Sequence, residues 1–321
     1  MRSYGWNENL TEQLGKRLAH GGLVFAPVIG EDGVCRLKTV EGLQQIEGAA
    51  LPRLPLKKLV LPASDLLWTL QTDTYRPPAL GPQLAVAGIA PCDLYALAYL
   101  DQAFAEDFLY RQRRSRMLLI GAACTPSSFC RCPSWPTPPP FDLFIAEGRL
   151  WVGSPQGESC LSILDGDLEG AQDESFPDRF WAGQALPLPT DLAQRFAASA
   201  GSLLWGRGAE RCLSCGACSA VCPTCSCYEV VDTVTAAGQV ARHRQWDNCF
   251  FRDHALVAGG HNFRPDRASR LRFRFEHKYL GFGALRGVPS CVGCGRCAQA
   301  CPVGIDLAKV LETLLAGEVA G

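Results

Sequence analysis

The sequence lacks an excess of charge of either sign: 31 basic against 32 acidic residues leave a formal net charge of −1 over 321 residues. That balance argues against a general binder of nucleic acids or membrane surfaces. Long apolar runs are also missing. The longest, around Leu84 to Pro91 and Met117 to Cys124, fall short of the ~18 residues a membrane-spanning helix needs, so no membrane insertion is expected. The N-terminus, Met1-Arg2-Ser3-Tyr4-Gly5-Trp6-Asn7-Glu8-Asn9, is polar, with neither an apolar signal core nor a twin arginine, which gives a cytoplasmic expectation. No P-loop is present, and Gly281-Phe282-Gly283-Ala284-Leu285-Arg286-Gly287 does not have G-x-G-x-x-G spacing. The chain itself is therefore expected to bind neither nicotinamide nor nucleotide.

Methionine is down to 2 residues, whereas cysteine reaches 17. In a reducing cytoplasm so many thiols point to metal binding rather than to disulfides. They are unevenly placed, with six before residue 200 and eleven after it. Together with the Pro-interrupted segment Ala182 to Pro189, this divides the chain into an N-terminal α/β domain (residues 1–190) and a C-terminal domain (191–321).

In the first domain, Leu84 to Ala90 and Met117 to Ala123 read as buried strands. Between them lies a helix that starts at Pro91 and turns Leu94, Leu97, Ala98 and Leu100 inward. Strand, helix, strand at this spacing is a βαβ unit with parallel strands. Cys92 and Cys124 then leave two neighbouring strands at the same sheet edge, and Cys130 and Cys132 follow in a proline-rich loop. These four thiols have two open readings, ligands of a third cluster or unrelated buried cysteines.

The second domain carries one short duplication. Cys212, Cys215, Cys218 and Cys222-Pro223 fit C-x2-C-x2-C-x3-C-P, and so do Cys291, Cys294, Cys297 and Cys301-Pro302. This is the run of two-cluster ferredoxins, in which the fourth cysteine ligates the other motif's cluster. The expectation is one [4Fe–4S] cluster on Cys212, Cys215, Cys218 and Cys301, and a second on Cys291, Cys294, Cys297 and Cys222. Zinc ribbons also use C-x2-C pairs, but not a third cysteine at this gap and a fourth before proline, twice over. Gly216 and Gly295 fit positions that need positive φ or close approach.

Between the motifs the sequence predicts helices, including one from Cys249 to Ala258 capped by Asp247 or Asn248, and an Ile305 to Leu315 helix ends the chain. A helix is also expected from about Asp191 to Leu204. An all-helical ferredoxin-like domain follows, so the fold class is α+β. Cys225, Cys227 and Cys249 are one ligand short of a cubane, and they read either as a further metal site or as packing near the clusters. A helix start at Cys249 would lower its thiol pKa. The basic stretch from His261 through Arg270, Arg272, Arg274, His277 and Lys278 reads as counter-charge to anionic clusters or to another subunit, rather than as a nucleic-acid strip.

Cys222-Pro223-Thr224-Cys225-Ser226-Cys227, Trp246-Asp247-Asn248-Cys249, Ala258 to Pro265, the arginine-rich run to Lys278, and Cys291 to Asp306 resemble the iron–sulfur β subunit of cytoplasmic sulfhydrogenase-type NiFe hydrogenases. The electron-transfer subunit of anaerobic sulfite reductases is similar. Upstream, Ala87 to Leu94 and the Cys124 to Cys132 cluster share the resemblance. It implies an α-helical ferredoxin domain and a non-catalytic subunit that relays electrons. The expected partners are a flavin/NAD(P) oxidoreductase subunit, where FAD and NAD(P) would bind, and the NiFe hydrogenase small and large subunits or, alternatively, a sulfite reductase catalytic subunit. The resemblance also favours the third cluster and leaves Cys225, Cys227 and Cys249 open.

Overall fold

The computed structural model describes residues 1–43, 50–132, 137–162, 168, 170–180 and 188–316. Its strands, in chain order, are β1 (Arg2–Gly5), β2 (Leu23–Ile29), β3 (Cys35–Thr39), β4 (Ser64–Gln71), β5 (Thr74–Arg76), β6 (Leu84–Ile89), β7 (Met117–Ala122), β8 (Leu143–Ala146), β9 (Arg149–Val152), β10 (Gln172–Asp173), β11 (Tyr228–Val234) and β12 (Val240–Trp246). Two compact units form. One comprises Met1–Val60, Leu80–Ser128 and Cys132–Ala185, and the other Leu61–Ala79, Phe129–Arg131 and Leu186–Gly321. Neither unit is contiguous in sequence. The proline-interrupted joint lies outside the described residues, apart from Leu188 and Pro189.

The first unit is built on an eight-stranded sheet of order β10-β1-β9-β8-β7-β6-β2-β3. Its centre is parallel, with β2, β6, β7 and β8 running the same way. The side chains of β7 are buried throughout, as expected for a strand covered on both faces. The helix Pro91–Ala103 joins β6 to β7 and buries Leu94, Leu97 and Leu100, so the predicted βαβ unit is present. Ala98, expected on the inner face, is only half-buried. Buried Asp142 fixes the next crossover by accepting the Leu119 N–H at 2.7 Å.

The second unit is a mixture of helix and sheet, which corrects the all-helical expectation. β11 and β12 form a hairpin, and β4 and β5 extend it into a four-stranded antiparallel sheet of order β11-β12-β4-β5. The sheet draws on residues some 170–180 positions upstream. Arg244 on β12 pairs with Asp65 on β4 at 2.7 Å, both almost fully buried. The β11–β12 segment has strand chemistry, with Val230, Val231, Val234 and Val240 spread over its two arms. What made it illegible was that β12 needs a partner far away in sequence.

Three further helix expectations change. Residues Cys249–Ala258 form no α-helix; only Asp253–Ala255 make a 3-10 turn. Asn248 there closes an Asx-type turn instead, its Oδ1 accepting the Phe250 N–H at 3.0 Å. The Asp191 to Leu204 segment breaks into a helix Leu192–Ala198, a 3-10 turn, and a new helix Leu203–Arg211 started by Ser202. The last helix spans Leu307–Leu315, capped by the Asp306 side chain. The long helix Arg267–Leu280, capped by Asp266 and stopped by Gly281 at φ +73°, runs through this unit. With its neighbours it builds a core that includes Phe196, Trp205, Phe250, Leu271, Phe275 and Leu311.

Candidate metal centre

The two cysteine motifs fold as copies. In each, the residue after the second cysteine is a glycine in the left-handed region, Gly216 at φ +75° and Gly295 at φ +73°. Each glycine starts a one-turn helix, Ala217–Ala220 and Arg296–Gln299, and the two helices are in contact. Two residues earlier the copies match again, with Ser214 at φ +51° and Gly293 at φ +64°. Both glycines are also sterically required. A Cβ on Gly216 would meet the Asn248 amide nitrogen at 2.4 Å, and one on Gly295 would meet the Phe129 carbonyl at 2.6 Å.

Cys212, Cys215 and Cys218 from the first motif and Cys301 from the second line one cavity, walled by Phe250, Leu271, Phe275 and Ile305. The thiols line a wall rather than converge: among the described residues no three His, Cys, Asp or Glu side chains close around a single-ion site. A cubane needs its thiolates spread over separate iron corners. Backbone N–H groups point at two of the sulfurs, from Ser214 to Cys212 Sγ at 3.4 Å and from Ile305 to Cys301 Sγ at 3.2 Å. The Ser214 hydroxyl lines the same cavity, buried and without a hydrogen-bond partner among the described residues. Four thiols, aimed N–H donors and an unpartnered hydroxyl in an apolar cavity fit an iron–sulfur cluster.

The remaining motif cysteines gather close by. Burial, with Cys222 adding to it, raises the thiol pKa values of Cys291 and Cys297, the latter to about 12. Cys297 also reaches the wall of the first cavity. Cys294 is buried, and Cys130 Sγ lies 3.7 Å from its carbonyl.

Two cations from the helix Arg267–Leu280 are buried among these sulfurs. Arg274 donates to the Ser219 hydroxyl at 2.8 Å, to Cys225 Sγ at 3.4 Å and to the Cys218 carbonyl at 3.0 Å, and it lines the first cavity. Lys278 donates to the Thr224 hydroxyl at 2.9 Å. Burial by itself would lower the pKa of each, but the negative charge of the cysteines around them when ionised, Cys218, Cys225 and Cys222 at Arg274 and Cys222, Cys225 and Cys291 at Lys278, holds both raised. Arg270, Arg274 and Lys278 follow at four-residue spacing and all three are buried, so the basic stretch turns one face inward. Thr224 was not legible as a site residue, yet its hydroxyl contacts Cys222 Sγ and donates to the Ser290 carbonyl at 2.7 Å, tying the end of the first motif to the start of the second.

Cys225, Cys227 and Cys249 lie in the same unit. The Cys225 thiol hydrogen-bonds Cys222, and Cys227 hydrogen-bonds Cys249. With no helix start at Cys249, its expected lowering is reversed: the bond to Cys227 and burial raise it, while Cys227, which accepts that bond, is lowered to about 6. Cys92 is buried in the first turn of the helix after β6, and Cys124 and Cys132 follow β7 in the first unit, whereas Cys130 belongs to the second.

Residues 211–305 match the family described as 4Fe-4S dicluster domain, so this is an iron–sulfur protein whose second unit carries that domain. Sulfhydrogenase 2 subunit beta of Pyrococcus furiosus is 32% identical over 320 residues, covering 94% of this chain and 95% of that protein. The chain belongs to the sulfhydrogenase beta subunit family. No solved structure matches it. Among the described residues no helix is long and apolar enough to cross a membrane.

Proposed function

We propose that the chain is a dicluster electron-transfer subunit. Cys212, Cys215, Cys218 and Cys301 hold one [4Fe–4S] cluster, and Cys291, Cys294, Cys297 and Cys222 hold the other. The observation that carries this reading is that the first motif's three cysteines share a cavity with Cys301 of the second, a cavity Cys297 also reaches; this supports the crossed ligand set of two-cluster ferredoxins. When bound, such clusters supply one-electron transfer. The chain's own residues set the conditions for it: Arg274 and Lys278 place positive charge beside anionic centres, the N–H groups of Ser214 and Ile305 polarise the sulfurs, and Phe250 and Phe275 exclude water.

Membership of the sulfhydrogenase beta subunit family supports a place between a flavin/NAD(P)-binding subunit and the catalytic subunits of a cytoplasmic NiFe hydrogenase. Iron and acid-labile sulfide, measured on the anaerobically purified full chain with EPR after dithionite reduction, test the cluster assignment. About eight of each per chain are expected from the two clusters, and about twelve if Cys92, Cys124, Cys130 and Cys132 hold a third. Neither iron nor sulfide above trace levels would overturn it. The isolated chain should oxidise no NAD(P)H, and robust turnover without partners would rule out the relay role.

A further inference from the structure

The two cysteine motifs are conformational copies, yet among the described residues only one has its tip covered. Over the second, the segment Phe129–Arg131 of the same unit is seated along the loop. The Arg131 N–H donates to the Gly293 carbonyl at 2.7 Å, Cys130 Sγ lies 3.7 Å from the Cys294 carbonyl, and the Phe129 carbonyl fills the space a Cβ on Gly295 would need. Val292 is 7% and Cys294 8% exposed in consequence. At the first motif the counterpart of Val292 is Leu213, which is 59% exposed, and the counterpart of Cys294 is Cys215, also exposed. Ser214 stands where Gly293 does, and among the described residues no backbone N–H reaches its carbonyl. Phe251, 43% exposed, flanks this tip through Gly216.

We propose that the tip Leu213–Gly216 is a docking point for an extended backbone segment of a redox-active partner subunit. The segment is held by an N–H···O bond to the Ser214 carbonyl and by apolar contact with Leu213 and Phe251. The occupant's character is read from the second tip, where the chain's own Phe129–Arg131 does the same to Gly293. Its redox character follows from Cys215, which brings a cluster ligand to this surface; the inference rests on the cluster assignment above. Burying an exposed leucine and phenylalanine edge stabilises such a contact, while the carbonyl gives it register.

The test uses the anaerobically purified multisubunit complex beside the isolated full chain. Hydroxyl-radical footprinting should show Leu213 and Phe251 protected about fivefold in the complex, and equal labelling would overturn the proposal. A benzophenone photo-crosslinker replacing Leu213 should link to a subunit that carries a flavin or iron–sulfur centre. Links only to a second copy of this chain, or to a subunit without a redox centre, would overturn it. Iron, sulfide and EPR signals of the isolated wild-type chain are read in parallel: their loss sinks the cluster assignment, whereas their presence without protection sinks the docking point alone.

Discussion

Arg274 Nη2 donates to the Cys218 carbonyl at 3.0 Å, which anchors a guanidinium beside the first motif's third cysteine. Arg274 is 3% exposed, so its charge acts with little screening. At an effective dielectric of about 20, a unit charge several ångströms from a cluster is worth a few kcal/mol, on the order of 100 mV for a one-electron couple. Arg274→Gln removes a charge that favours the reduced, more negative cluster. Its midpoint potential in redox-poised EPR should fall by roughly that amount, and Arg274→Lys should recover part of the loss. An unchanged potential in a cluster-replete Gln variant would show that Arg274 serves packing alone.

Gly295 is the more demanding of the paired glycines. A Cβ there meets a backbone carbonyl, that of Phe129 at 2.6 Å, whereas at Gly216 it meets the side-chain amide of Asn248, whose displacement costs its bond to the Gly216 carbonyl but moves no backbone. Both substitutions add the roughly 1–2 kcal/mol cost of a left-handed L-residue. Gly295→Ala should therefore lower the thermal midpoint more than Gly216→Ala, measured on holo protein under argon. Equal losses would mean that the Phe129 segment yields freely.

Asp65 and Arg244 tie β4 to β12 by a buried ion pair at 2.7 Å. Removing one partner leaves an uncompensated buried charge, which costs about 3–5 kcal/mol. Asp65→Ala should lower the urea midpoint accordingly and disturb the second unit, although residue 65 lies far from the cysteine motifs in sequence. If iron content and stability are both untouched, the four-stranded sheet does not contribute to holding that unit together.

His277 gives a pH dependence. Burial, with the Lys278 and Arg274 charges, lowers its pKa to about 4, against about 6.5 for an ordinary imidazole. Between those values the unfolded chain takes up a proton that the folded chain refuses, so stability falls as pH falls through that window. His277→Gln should flatten the decline between about pH 7 and 5.5, where urea titrations of the two proteins can be compared.

What could be read from the sequence was what depends on neighbours within a dozen residues. The motif spacing located Gly216 and Gly295 in the left-handed region, and the apolar runs gave β6, β7 and the helix starting at Pro91. The four-stranded sheet was hidden because β12 completes its pairing only with Ser64–Gln71, and nothing local in Val240–Trp246 reveals that partner. The Cys249–Ala258 helix failed for a different reason. Asn248 looks like a helix cap, but its Oδ1 closes a turn on the Phe250 N–H, and its amide N–H is held by the Gly216 carbonyl at 2.9 Å, a contact across 32 residues. Thr224 escaped notice because a buried hydroxyl bridging Cys222, Ser290 and Lys278 has no sequence signature.

The crossed ligand set makes the sharpest prediction. If the ligands followed the motifs, Cys301→Ser would damage the same centre as Cys291→Ser. Cys301 lines one cavity with Cys212, Cys215 and Cys218, which Cys297 also reaches, and this grouping supports the crossed reading. Cys301→Ser and Cys215→Ser should therefore alter the same EPR signal in the reduced protein, and Cys222→Ser should alter the signal affected by Cys294→Ser. The proximity of the two short helices means that each variant also shifts the other signal slightly through altered spin coupling, so the comparison rests on which signal loses intensity. Pairing by motif, with Cys222→Ser and Cys215→Ser striking one centre, would refute the crossed arrangement while leaving two clusters in place.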